Sequence, residues 1–141
     1  MKRKCRQNGF TLIEALFASM LVGMVIVSLV AASGAFTMVN GAGIDLSTSE
    51  FLIEEIREWS TPLTFDELIA ADGTSHNPPI DISEATMSEF GVFTQTITVD
   101  YVDPDNLDSV VTGPTDFVRV TVTITKNSQP ISDASWIRAN L

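Results

Sequence analysis

The chain has 141 residues, room for one globular domain beyond any membrane segment. Eight Lys and Arg stand against 18 Asp and Glu, a formal net charge of −10, which argues against nucleic acid or an anionic membrane surface as partner, because both need a basic patch. With a single cysteine, Cys5, there is no internal disulfide, so the fold must rest on core packing.

Four of the eight bases, Lys2, Arg3, Lys4 and Arg6, come before Gly9. Phe10-Thr11-Leu12-Ile13-Glu14 then opens an uncharged run, with no ionisable side chain between Glu14 and Asp45. That is longer than the roughly 20 apolar residues an α-helix needs to cross a bilayer. The spacing predicts a membrane-spanning helix over residues 10–44 with one acid in its first turn. A carboxylate at the centre of such a helix costs about 2.5–3.5 kcal/mol, and acids there are retained where they have a partner. Thr11-x-x-Glu14 also fits a capping box, the ordinary way in which a helix satisfies its first amides. The next base after the run is Arg57, so the positive-inside rule puts the N-terminus in the cytoplasm and the rest of the chain outside.

The basic leader, Gly9, Phe10-Thr11-Leu12-Ile13-Glu14 and the long apolar sequel closely resemble the N-terminus of type IV pilins and of the pseudopilins of type II secretion systems. The resemblance implies a leader, residues 1–9, cut between Gly9 and Phe10 by a prepilin peptidase. It implies N-methylation of Phe10 and a role for Glu14, fifth in the mature chain, in recruiting and registering subunits of a filament. The implied protein is a structural subunit, not an enzyme: a single-pass protein of the inner (cytoplasmic) membrane that passes into a pilus or pseudopilus. Its implied partners are the peptidase, other pilin or pseudopilin subunits, an inner-membrane assembly platform and the lipid bilayer. The implied fold is α+β, a long N-terminal helix packed on a small antiparallel sheet. Gly23 falls where many of these proteins carry glycine, whereas Ala31 stands where many major pilins carry proline, which tilts the resemblance toward a minor pilin or pseudopilin.

Physical chemistry gives the junction a reason. Before cleavage the nitrogen of Phe10 is a neutral amide; afterwards it is an amine with an ordinary pKa of about 7.7–8, mostly cationic at neutral pH. Cleavage thus creates a countercharge for Glu14, and one methyl group would keep it. Two other readings compete. A secretory signal peptide also has a basic start and could be cut near Ser33-Gly34-Ala35, but its apolar core is about 7–15 residues and this one is roughly twice as long. A lipoprotein reading of Cys5 fails because bases sit where the apolar segment should precede it. From a different class, the chain could be an exported or membrane-tethered binding domain outside any filament. After loss of the leader four bases would face 18 acids, a side-chain charge of −14.

Within the helix, Ala15, Ser19 and Gly23 recur every fourth residue, a face on which helices can approach closely. Gly34 and Gly41-Ala42-Gly43 are expected weak points, each glycine costing about 1 kcal/mol relative to alanine. Asp45 or Ser47 is then expected to cap a reopened helix over residues 45–59. If nearly continuous, residues 10–59 would reach about 75 Å. Leu52, Ile53, Ile56 and Trp59 form an apolar stripe that should pack on a sheet, while Glu50, Glu54, Glu55 and Glu58 face elsewhere.

Thr61-Pro62 ends the helix. Residues 60–90 read as an irregular connector with a short helical turn at Asp66–Ala71 and a loop at Asn77-Pro78-Pro79. His76, with no cysteine or second histidine after the leader, is a poor metal or catalytic candidate. Residues 91–141 carry the sheet. Phe93–Tyr101 alternates with Phe93, Ile97, Val99 and Tyr101 on one face; Phe117–Thr125 does so with Val118, Val120, Val122 and Ile124 inward. A turn at Lys126–Pro130 and a third strand at Ala134–Leu141 complete it, so the extracytoplasmic head spans residues 45–141. Asp100, Asp103, Asp105, Asn106 and Asp108 gather around Pro104, and Asp103, Asp105 and Asp108 are the weak candidates for a calcium ion, the one cofactor considered. The glycine and terminal glutamate of an EF-hand are missing, and a solvated acidic turn is the default reading of these residues.

Overall fold

A computed structural model describes residues 10–141. The chain divides into two units, one ending at Ala42 and the other running Gly43–Leu141. Its first element, α1 (Leu12–Ser60), is one helix of 49 residues. The expected weak points do not break it: Gly34, Gly41 and Gly43 are all helical, and no new start occurs at Asp45 or Ser47. Once a helix is nucleated each further residue is added cheaply, so flanking turns absorb an isolated glycine. Asp45 is occupied otherwise, in an ion pair with Lys126 at 2.6 Å. Hydroxyls of the apolar run return to their own helix, Ser28 to Met24 O, Ser33 to Leu29 O and Thr37 to Ser33 O.

Helix α1 stops at Ser60, before Pro62, as expected from the ring's clash with a continuing helix. The Arg138 guanidinium donates to the carbonyls of Ser60, Thr61 and Leu63, which satisfies acceptors that every helix end leaves open. Helix α2 (Phe65–Ala70) follows behind a complete capping box in which Thr64 and Glu67 exchange side-chain and backbone bonds.

The rest is a small antiparallel sheet. Strands β1 (Ser75–His76), β2 (Phe93–Asp103), β4 (Phe117–Lys126) and β5 (Gln129–Ala139) lie in that order, and β3 (Asn106–Val110) pairs with the far end of β2. The inward row is as expected: Val118, Val120, Val122 and Ile124 are wholly buried, together with Ile97 and, from α1, Leu52 and Ile56. The architecture is therefore α+β, with the C-terminal part of the long helix packed on the sheet.

The sheet departs from expectation in three places. Tyr101 is half-buried against the core and its neighbour Val102 is wholly buried, next to the place where the β2–β3 register shifts, at Val102/Asp103. The turn after β4 is only Asn127–Ser128, both at positive φ, the geometry that closes a two-residue hairpin and lets β5 start at Gln129. The connector is not wholly irregular, since Ser75 and His76 pair with Thr96 and Gln95.

Candidate functional site

Gly9, the expected cleavage position, lies outside the described residues. Phe10 is 75% exposed and precedes α1. The Glu14 amide donates to Thr11 Oγ1 at 3.3 Å and to Thr11 O at 3.1 Å, so half of the capping box is present. The Glu14 carboxylate takes part in no ion pair among the described residues. Ser19 bonds to Leu16 O, and a side chain added at Gly23 would meet nothing within 4 Å.

Every residue from Phe10 to Ile44 is exposed. Leu12, Phe17, Leu21, Val25, Leu29 and Phe36 each leave more than half of their surface uncovered. Its most apolar 18-residue window has a mean hydropathy of 2.5, so by length and composition α1 is able to cross a membrane. An apolar surface of this extent is stable only against lipid or other protein. It contrasts with the sheet-bearing unit, whose large residues pack into one core.

The acidic stretch around Pro104 forms the β2–β3 hairpin. Asp103 Oδ1 accepts the Asp105 amide at 2.9 Å, Asn106 Oδ1 accepts the Asp108 amide at 3.3 Å, and Asp108 pairs with Arg119 at 3.8 Å. Among the described residues no group of three or more His, Cys, Asp or Glu is placed to hold a metal; the calcium candidates Asp103, Asp105 and Asp108 are not brought together.

Three arrangements escape the sequence reading. Gln95 is wholly buried, its amide nitrogen donating to Leu52 O at 3.0 Å and Ile80 O at 3.1 Å while its oxygen accepts the Ile80 amide at 2.8 Å. Its signal was parity, because it falls in the inward series between Phe93 and Ile97. The four bases of residues 10–141 all have internal partners: Arg57 with Glu54, Arg119 with Asp108, Lys126 with Asp45 and Arg138 with the end of α1. Lastly, Trp59 Nε1 donates to Glu84 Oε1 at 2.9 Å across 25 residues of chain.

Two acids of the connector are held below the ordinary carboxylate range. Bonds from the Thr64 amide and hydroxyl do this for Glu67; the Ser83 hydroxyl, then the Ala85 and Ser83 amides, do it for Asp81. Comparison with protein-family models, curated proteins and solved structures finds no match to this chain.

Proposed function

We propose that this chain is a prepilin-like structural subunit. It is cut after Gly9, methylated at the new N-terminus Phe10, and assembled through its N-terminal helix into a type IV pilus or type II secretion pseudopilus as a minor component. The observation that carries the reading is the coincidence of two features. The residues that follow Gly9, Phe10-Thr11-Leu12-Ile13-Glu14, lead into a helix, and residues 10–44 are exposed, predominantly apolar and uncharged apart from Glu14. Lipid covers this surface before assembly; the matching helices of other subunits cover it afterwards.

Within that scheme Glu14 acts by charge. Its carboxylate has no ion pair within residues 10–141, and cleavage generates a cationic amine on each subunit. Pairing Glu14 with the amine of a neighbour lowers the cost of carrying both into a low-dielectric helix bundle. The chain does no chemistry itself in this account and is the substrate of a peptidase and methylase.

Glu14→Gln tests the mechanism. In the native host the variant should be cut and inserted as the wild type is, yet be absent from the sheared filament fraction. Normal incorporation would contradict charge pairing.

The second reading is a membrane-tethered binding domain outside any filament, and an open cavity beside Trp59 favours it. Such a protein keeps residues 1–9, which separates it from the first.

A further inference from the structure

A cavity of about 520 Å³ opens between the end of α1, helix α2 and the connector, within the range of small-ligand sites. Trp59, Leu63 and Ile80 supply apolar wall; Glu67, Glu84 and His76 supply polar groups, and no Lys or Arg lines it. The two carboxylates are placed by structure of their own. Glu67 Oε2 is tied to Thr64 by the capping box, and Glu84 Oε1 accepts the Trp59 indole. The other oxygen of each takes no hydrogen bond among the described residues.

Glu84 is also held in a conformation that side chains seldom adopt, φ +64. Asp81 enforces it, accepting from the Ser83 amide and hydroxyl and the Ala85 amide while its own carbonyl accepts the Glu84 amide at 3.0 Å. Strain of this kind outside glycine persists where the surroundings over-determine it, and it gathers at ligand clamps. Here it carries a carboxylate to the edge of an indole. Because the four bases of residues 10–141 are engaged elsewhere, no Lys or Arg among the described residues neutralises the pair.

We propose that this cavity binds an alkyl ammonium or alkyl guanidinium group, with the cation between Glu67 and Glu84 and the stem against Trp59 and Leu63. Charge complementarity selects the cation, the indole favours it further through its π face, and the apolar wall selects a stem over a bare ion. The ligand is either a lysine or arginine side chain of a partner protein or a free organic amine. This inference is independent of the filament reading.

The test is a titration of the ¹⁵N-labelled full chain in detergent micelles at low ionic strength, following the indole N–H signals of Trp59 and Trp136. Butylammonium and butylguanidinium should shift the Trp59 signal saturably, whereas 1-butanol should not, and Trp136 should stay still. Glu84→Gln keeps an oxygen acceptor for the indole; it and Glu67→Gln should each weaken binding by about threefold to fivefold. Acetyl-lysine and acetyl-arginine methylamides binding as well as the free amines would assign a partner's side chain; binding by the free amines alone would assign a small molecule. Equal response to butanol and butylammonium, no saturable shift with any cation, or undiminished binding in both variants with Trp136 unmoved would overturn the proposal.

Discussion

In the proposed scheme Gly9 and Glu14 would each have a role that one atom or one charge decides, and in the fold Gln95 has one. If Gly9 is the cleavage position proposed above, the peptidase would have to bring its backbone close, which a side chain would obstruct. Gly9→Ala should be cut poorly or in part and Gly9→Val not at all, read as retention of the leader on a gel of cells that express a prepilin peptidase; efficient cleavage of the valine variant would contradict the account. Gln95 is a different case, since it serves the fold. Its amide bridges Leu52 of α1 and Ile80 of the connector, and no other buried side chain among the described residues does so. Gln95→Met keeps the volume but leaves buried backbone groups without partners, a loss of about 2–3 kcal/mol. For a unit of this size that is a fall of about 10–20 °C in Tm, measured by the near-ultraviolet signal of the head. An unchanged Tm would mean that water or a shifted connector replaces the amide.

At the scale of elements, strand β4 was the most legible piece. Branched apolar residues alternate with polar ones without a break from Val118 to Thr125, and every expected inward residue is buried. The stripe Leu52, Ile53, Ile56 was legible for the same reason: its period matched the element and it met one apolar partner. Strands β1 and β3 were not legible. Two residues, Ser75–His76, carry no period, and Asn106–Val110 is too polar to read as a strand; both exist because β2 offers a free edge. Helix α1 continues through Gly41 and Gly43 because a helix propagates from its neighbours, which the propensity of single residues does not express. The β4–β5 hairpin offers a clean check on turn chemistry. With Asn127 at φ +50 and Ser128 at φ +67, Ser128→Gly removes a steric cost and should stabilise the head by about 0.5–1 kcal/mol in urea unfolding. Destabilisation would show that the Ser128 side chain supports the turn.

Across the whole molecule, two surfaces of opposite character coexist. Residues 10–44 are apolar with one charge, and the remainder carries 17 of the 18 acids against four internally engaged bases. The head folds by burying its own apolar residues. The N-terminal helix buries none of its residues up to Ile44 and so depends on whatever surrounds it. In the proposed scheme lipid and then sister helices would surround it, and one cleavage event would link the two. The proposed site residues rest on a local motif, whereas the polar contacts of the head, Gln95 to Leu52 and Trp59 to Glu84, join residues 43 and 25 positions apart and leave no local signal.

The central claim is that cleavage at Gly9 converts a membrane protein into a filament subunit. The most direct test is the intact mass and N-terminal residue of the membrane-extracted chain, expressed with and without a prepilin peptidase. The account predicts a chain beginning at Phe10 and heavier by one methyl group, found only when the peptidase is present. A chain that keeps Met1 in both strains, or one that begins at Phe36, would contradict it.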